Sequence, residues 1–185
     1  MKLNSSTTAH LLPSSLSKRQ YDVSGSTFYK QFKIKYMITY VLTISQKFPK
    51  THIRSGGETN FYPLILRGKK KHTIRGNYEL WAKRFEKIKA GKAILSIRIW
   101  EGKPYNSKQI ELLTFDNTKG IGIEKILFDD YLYSCLINNK RFSVGSEMIA
   151  ENDGLTPNDF ENWFRGYDFS KPMAIIHFTD FRYCH

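Results

Sequence analysis

The chain has 185 residues and a mass of 21.7 kDa, the size of one ordinary domain with an appendage, and its 41% hydrophobic and 15% aromatic content is enough for a real core. No apolar run approaches the ~20 residues of a membrane-spanning helix, and two cysteines, Cys135 and Cys184, build neither a disulfide framework nor a Cys-rich zinc site. The expectation is a cytoplasmic protein without a membrane, metal or cofactor, and its net charge of +12 with a pI near 9.6 calls for a polyanionic partner.

Residues 1–36 contain ten Ser and Thr and six basic groups against one acid, without sustained periodicity. Leu11-Leu12-Pro13 is too short and broken for a secretory apolar region. The segment reads as a disordered, basic, Ser/Thr-rich extension. Met37 opens a β-rich run to Ile44, the first strand of a domain spanning 37–185, and a natural start at Met37 is one expectation.

Asn60 is placed to cap a short helix through Phe61-Tyr62-Pro63-Leu64-Ile65-Leu66, stopped by Gly68. Gly68 to Arg75 is a basic turn feeding a short strand. Asn77 caps the clearest helix, Tyr78 to Ala90, in which Tyr78, Trp81, Ala82, Phe85 and Ile88 recur at i, i+3, i+4 spacing as a core face. The period then changes to two. Ala93–Trp100, Ile110–Phe115, Ile121–Phe128 and Tyr131–Ile137 read as strands, and Asn138-Asn139 suits a tight hairpin into Arg141–Val144. Thr156-Pro157 starts a further helix that runs to Gly166, and Met173–Phe181 is the closing strand. Five to seven strands with two or three short helices in mixed order predict an α+β fold, a small mixed barrel.

Charge is concentrated in one place. Residues 67–92 carry ten Lys and Arg against two acids, whereas 93–185 carry ten against thirteen. A solvated lysine-rich helix face accounts for part of this and an anion-binding surface for the rest. There is no Gly-rich phosphate loop, no nucleophile elbow and no paired-histidine metal motif. The five histidines are scattered, and His177, in mid-strand, reads as a satisfied structural residue.

The chemistry-bearing candidate is Gly68-Lys69-Lys70-Lys71-His72-Thr73-Ile74-Arg75. If the chain is extended, Lys71, Thr73 and Arg75 share one face, with Lys70, His72 and Ile74 on the other. If it is still turning, Lys70 and Thr73 come together. A lysine beside a threonine hydroxyl binds an anionic or carbonyl oxygen or, with its pKa depressed by burial and by Lys69, Lys71 and Arg75, deprotonates the hydroxyl.

This segment resembles the ASCH signature, Gly-x-Lys-x-x-Thr-x-Arg, and the resemblance extends over roughly Phe61 to Tyr183, including the later Asp153-Gly154 followed by a helix and a final strand. ASCH domains are small β-barrels of the PUA-like superfold, a group rich in RNA-binding modules, so the resemblance implies that barrel and a basic cleft for RNA, a nucleotide or a modified nucleoside. Phosphate contacts would come from Lys69, Lys71, Arg75, Lys83 and Arg84, and Tyr78 or Trp100 would offer a stacking surface to an unpaired base. The chain is also similar to the small bacterial acetylcytidine amidohydrolases, which implies an alternative hydrolase activity on N-acylated cytidine-type nucleosides. In that role Lys70 is the base, Thr73 the nucleophile and Asp153 the acid. Asp153 is one methylene shorter than the glutamate of those enzymes; Glu151, two residues away, is a substitute. This chain is also longer around Trp100–Tyr105 and Tyr131–Val144.

Overall fold

The computed structural model describes residues 20–21, 27–28, 37–129, 134–143 and 147–184. The chain divides into two units, Met1–Tyr36 and Met37–His185. In the first, Gln20–Tyr21 (β1) and Thr27–Phe28 (β2) pair antiparallel. Apart from those four residues, the segment expected to be a disordered extension lies outside the described residues.

The second unit is a mixed α+β structure with two open sheets. In chain order its elements are β3 (Ile38–Thr43), α1 (Phe61–Leu66), β4 (His72–Arg75), α2 (Tyr78–Lys89), β5 (Ala93–Trp100), β6 (Gln109–Phe115) and β7 (Gly122–Phe128). They are followed by β8 (Ser134–Ile137), β9 (Lys140–Ser143), α3 (Glu147–Asn152), α4 (Pro157–Phe164) and β10 (Met173–His177). One sheet has the order β4-β10-β7-β8-β9 and the other β3-β5-β6. No described ladder joins them, so the strands do not close into the expected barrel; β3 and β4 each stand at an edge. The two edges are tied instead by a side chain, Arg75 Nη2 donating to the Thr43 carbonyl at 2.9 Å.

The interior strand β10 is buried along its whole length, Met173 to His177, between antiparallel neighbours β4 and β7. A strand covered on both faces reads as a continuous apolar run rather than an alternating one, and Met173-Ala174-Ile175-Ile176 is such a run. Helix α2 packs against β5, β7 and β10 through Trp81, Phe85 and Ile88, all buried as their spacing predicts. The Asn77 side chain caps it, accepting from the Leu80 amide at 3.1 Å. Asn60 does not act this way: it takes a left-handed φ of 56° and makes no side-chain cap, so α1 starts from a backbone turn. Thr156 accepts from the Asp159 amide and Pro157 opens α4, as expected. Asn138 and Asn139, at φ 47° and 69°, make the hairpin between β8 and β9. The expected strand starts at Tyr131 and extends to Val144 at its partner's end, both outside the described residues.

Two elements differ from expectation. Helix α3 has only six residues and no cap signal in the sequence, yet its end delivers Asp153. The closing strand stops at His177 rather than Phe181 because the chain there turns back onto β7. The Tyr183 and Cys184 amides donate to the Glu124 carboxylate at 2.9 and 3.0 Å, and Arg182 Nη2 reaches the Gly120 carbonyl at 3.0 Å.

That return builds a buried polar cluster behind β4. His177 Nε2 lies 2.8 Å from Glu124 Oε2, and His72 Nε2 lies 2.8 Å from the Tyr183 hydroxyl, which also accepts from Asn152 Nδ2 at 3.1 Å. Burial holds His72 well below its ordinary value of 6.5, reinforced by His177, Lys70 and Lys71. Burial lowers His177 as well, against the raising pull of Glu124. Both rings are therefore neutral in the folded state at pH values where the unfolded chain already binds protons. The contribution of each is intact above pH 6.5 and is lost as pH falls below it. Urea unfolding of wild type at pH 7.5 and 5.5 should show a loss of roughly 1 kcal/mol per histidine at the lower pH, and His72→Gln should remove its own share of that slope.

Candidate functional site

The turn from α1 into β4 is set by backbone bonds. The Lys69 and Lys70 amides both donate to the Leu64 carbonyl, at 2.9 and 3.1 Å, and Gly68 takes φ 66° to allow it. The Lys71 amide then donates to the Asn152 carbonyl at 2.7 Å, and the Lys71 carbonyl accepts from the Phe178 amide at 2.8 Å. The chain is thus still turning at Lys70 and extended from His72. Of the two arrangements open to the sequence, this one brings Lys70 and Thr73 to the same place.

Lys70 is buried, with 1% of its surface exposed. Its Nζ donates to Asp153 Oδ1 at 2.6 Å and also to the Asp153 carbonyl. It lies 4.0 Å from the centroid of the Phe61 ring, a cation–π contact. Asp153 reaches Lys70 despite its short side chain because Gly154 follows it at φ 75°. A β-carbon on Gly154 would stand 3.1 Å from Lys70 Cβ, a tight contact at a backbone conformation that side chains other than glycine rarely adopt. Glu151 instead stays exposed on the wall of the neighbouring groove. Thr73 is also buried, and its hydroxyl accepts from Arg75 Nη1 at 2.8 Å; the Thr73 hydroxyl and the Arg75 charge both favour the ionised form of Asp153. Lys70, Thr73, Arg75 and Asp153 therefore form one constellation.

Burial is the dominant electrostatic influence on this constellation. It pulls the Lys70 ammonium below its ordinary 10.5, although Asp153 opposes it. It pushes the Asp153 carboxyl above its ordinary 3.8 against the opposing pull of Lys70 and Arg75. Both shifts favour a shared proton over two full charges. His72 Nδ1 stands 3.8 Å from Asp153 Oδ1 without a hydrogen-bond partner.

Directly outside lies a groove of about 1000 Å³, with Gly154 and Asn152 in its lining. Arg67, Lys69 and Lys71 line it, and none of the three has an ion pair with a described carboxylate. The opposite wall comes from the loop after β3. There Arg54 Nη1 donates to Asp159 Oδ2 at 2.7 Å, His52 Nε2 lies 3.0 Å from the Asp159 carbonyl, and Phe48 stacks on His52 with centroids 4.3 Å apart. This loop carries no motif, and neither Arg54 nor Arg67 is among the candidates read from the sequence; the run Arg67–Lys71, basic at every position but Gly68, is the signal available for the second.

The other sequence candidates are not gathered here. Tyr78 is half-buried at the start of α2, with Lys125 Nζ 5.8 Å from its ring centroid. Lys83 is exposed on α2, and Arg84 lies over the rings of Trp81 and Tyr40, at 4.5 and 5.3 Å. Trp100 ends β5 beside Tyr105. None of these four lines the groove, and Arg75 does not either. Among the described residues there is no group of three or more His, Cys, Asp or Glu placed to hold a metal, and no helix long and apolar enough to cross a membrane. No protein-family model, curated protein or solved structure matches the chain.

Removing one partner of a buried ion pair leaves the other uncompensated, at a cost of about 3–5 kcal/mol. Lys70→Met should therefore lower the unfolding free energy by about that amount in urea titrations. Adding Asp153→Asn to it should restore part of the loss. Costs that simply add would show that the two side chains do not act as a pair.

Proposed function

We propose that residues 37–185 are an ASCH-type domain of PUA-like character that binds RNA, or a nucleotide or modified nucleoside, in the groove beside the Lys70–Asp153 pair. The observation that carries this reading is the convergence of Lys70, Thr73, Arg75 and Asp153 beside a groove whose lining includes Arg67, Lys69 and Lys71, none of them ion-paired to a described carboxylate, together with the acids Glu58, Glu151 and Asp159. The buried pair supplies a rigid floor, and the cations at its rim supply phosphate contacts that need no desolvation of the pair itself. The surrounding stretch 67–92, with its ten basic residues, adds a field that draws a polyanion toward the groove.

An amidohydrolase is the second reading, favoured by Thr73 acting on the Asp153 carboxyl in one buried cluster with a lysine whose amine burial has made easier to deprotonate. In that scheme Lys70 takes the Thr73 proton, the Thr73 oxygen attacks the amide carbonyl, and Asp153 protonates the departing amine. Water then releases the acyl group. Lys70, Thr73 and Asp153 are 1%, 3% and 4% exposed, so a substrate carbonyl reaches Thr73 only if the floor opens. That closure places binding ahead of hydrolysis.

The two readings separate on salt. Binding of a single-stranded RNA by the full chain should weaken steeply between 50 and 200 mM salt, with a slope of about −0.7 per phosphate contacted. Lys69→Ala/Lys71→Ala should lower affinity about tenfold and make that slope shallower by about 1.4. Acetylcytidine should not be hydrolysed above the level of Thr73→Ala. Salt-insensitive turnover abolished by Thr73→Ala, without RNA binding, would replace the first reading with the second.

A further inference from the structure

The hairpin between β5 and β6, residues 101–108, is not part of the groove, and it is built in an unusual way. Tyr105 takes φ 65° and is 88% exposed. A bulky aromatic residue in the left-handed region is a backbone outlier, and such strain persists only where its surroundings hold it. Here they do. The Glu101 amide donates to the Lys108 carbonyl at 2.9 Å and the Asn106 amide to the Lys103 carbonyl at 3.1 Å. Ser107 Oγ accepts from the Gly102 amide and donates to the Lys103 carbonyl, both at 3.0 Å. Gly102, in the same loop, is not the residue at positive φ; the sequence puts tyrosine there instead.

The ring is also placed. Its centroid lies 5.3 Å from that of Trp100, with the planes inclined at 51°. Trp100 is half-buried at the end of β5, on the same strand face as Ser96 and Arg98. That face is polar and carries its own ordered contacts: Arg98 Nε donates to Ser96 Oγ at 2.9 Å, and Arg98 lies 3.5 Å from Glu111. One edge of the aromatic pair is therefore fixed to the sheet, and the Tyr105 ring projects into solvent. Lys103 and Lys108 flank it, both exposed and without an ion pair to a described carboxylate, against the single acid Glu101.

We infer that the Trp100–Tyr105 hairpin tip is a stacking platform for an unpaired base of single-stranded nucleic acid, with Lys103 and Lys108 on the adjoining phosphates. A preformed aromatic face costs little entropy on binding, accepts any base, and needs neighbouring cations rather than hydrogen-bond readout. The occupant is a nucleic acid strand because the tip joins a flat ring to unpaired positive charge on a chain of net charge +12. This inference rests on the nucleic-acid reading of the groove and extends it to a second point of contact.

The test measures binding of a fluorescein-labelled 12-nucleotide single-stranded RNA to the full chain by anisotropy at low salt, for wild type, Tyr105→Gly and Tyr105→Phe. Glycine removes the ring and relieves the backbone, so Tyr105→Gly should unfold at the same or a higher urea concentration than wild type while binding the strand about tenfold more weakly. Tyr105→Phe keeps the ring and should bind as wild type does. Affinity unchanged in Tyr105→Gly overturns the platform and leaves the groove standing, including the case in which the tip instead holds a protein. Absence of strand binding by wild type overturns both readings together. A loss of binding in Tyr105→Phe equal to that in Tyr105→Gly overturns stacking, because the hydroxyl would then be the contact.

Discussion

The fold around the groove depends on a lysine that has been taken out of water. Lys70 Nζ sits 2.6 Å from Asp153 Oδ1, with almost none of either side chain exposed. Such a pair has little net worth as a source of stability, since desolvation offsets most of the attraction, but it tolerates no loose geometry. The local chain meets that demand from three directions. Gly68 turns the backbone so that the Lys69 and Lys70 amides return to Leu64, Asn152 receives the Lys71 amide, and Gly154 lets α3 and the turn approach within van der Waals contact. Other constraints follow from the same seat: Thr73 is carried to the inner side of β4, Arg75 bridges the two sheet edges, and His72 is pressed against Tyr183.

The same burial explains how charge is divided between inside and outside. Within the constellation, low dielectric moves Lys70 down and Asp153 up, toward a neutral, proton-sharing pair. Outside it, Arg67, Lys69 and Lys71 line the groove without an ion pair to a described carboxylate, and Lys71 Nζ lies 4.7 Å from the centroid of the Phe181 ring. Alternating lysines in one turn thus have opposite fates: Lys70 is spent on the floor, and its two neighbours face the groove. On this view the positive charge of the turn is a property of a surface, and Lys70 is a property of the fold beneath it.

Much of the architecture was legible because it rests on local signals. The α2 stripe, the Thr156-Pro157 start of α4, the Asn138-Asn139 hairpin and the apolar run of β10 each follow from spacing or from backbone preference, and each is present. The meeting of Lys70, Thr73, Arg75 and Asp153 was legible from the resemblance rather than from spacing, which left two arrangements open. What the residues did not reveal depends on long-range contact. Helix α3 is six residues held by packing against α4, and the early end of β10 is dictated by Glu124, 59 residues before Tyr183 in the chain. The Arg54 wall depends on Asp159 in the same way, across 105 residues. Tyr78, Lys83, Arg84 and Trp100 share their chemistry with Lys69 and Lys71 but do not line the groove, and spacing along the chain carries no sign of that.

One measurement tests the division between floor and rim most directly: amine-reactive labelling of the full chain, read residue by residue by mass spectrometry, with and without single-stranded RNA. The account predicts that Lys69 and Lys71 are modified in the free protein and shielded by the strand, while Lys70 is unmodified in both states. Rapid modification of Lys70, at a rate matching its neighbours, would contradict it and would make the constellation an open, reactive site.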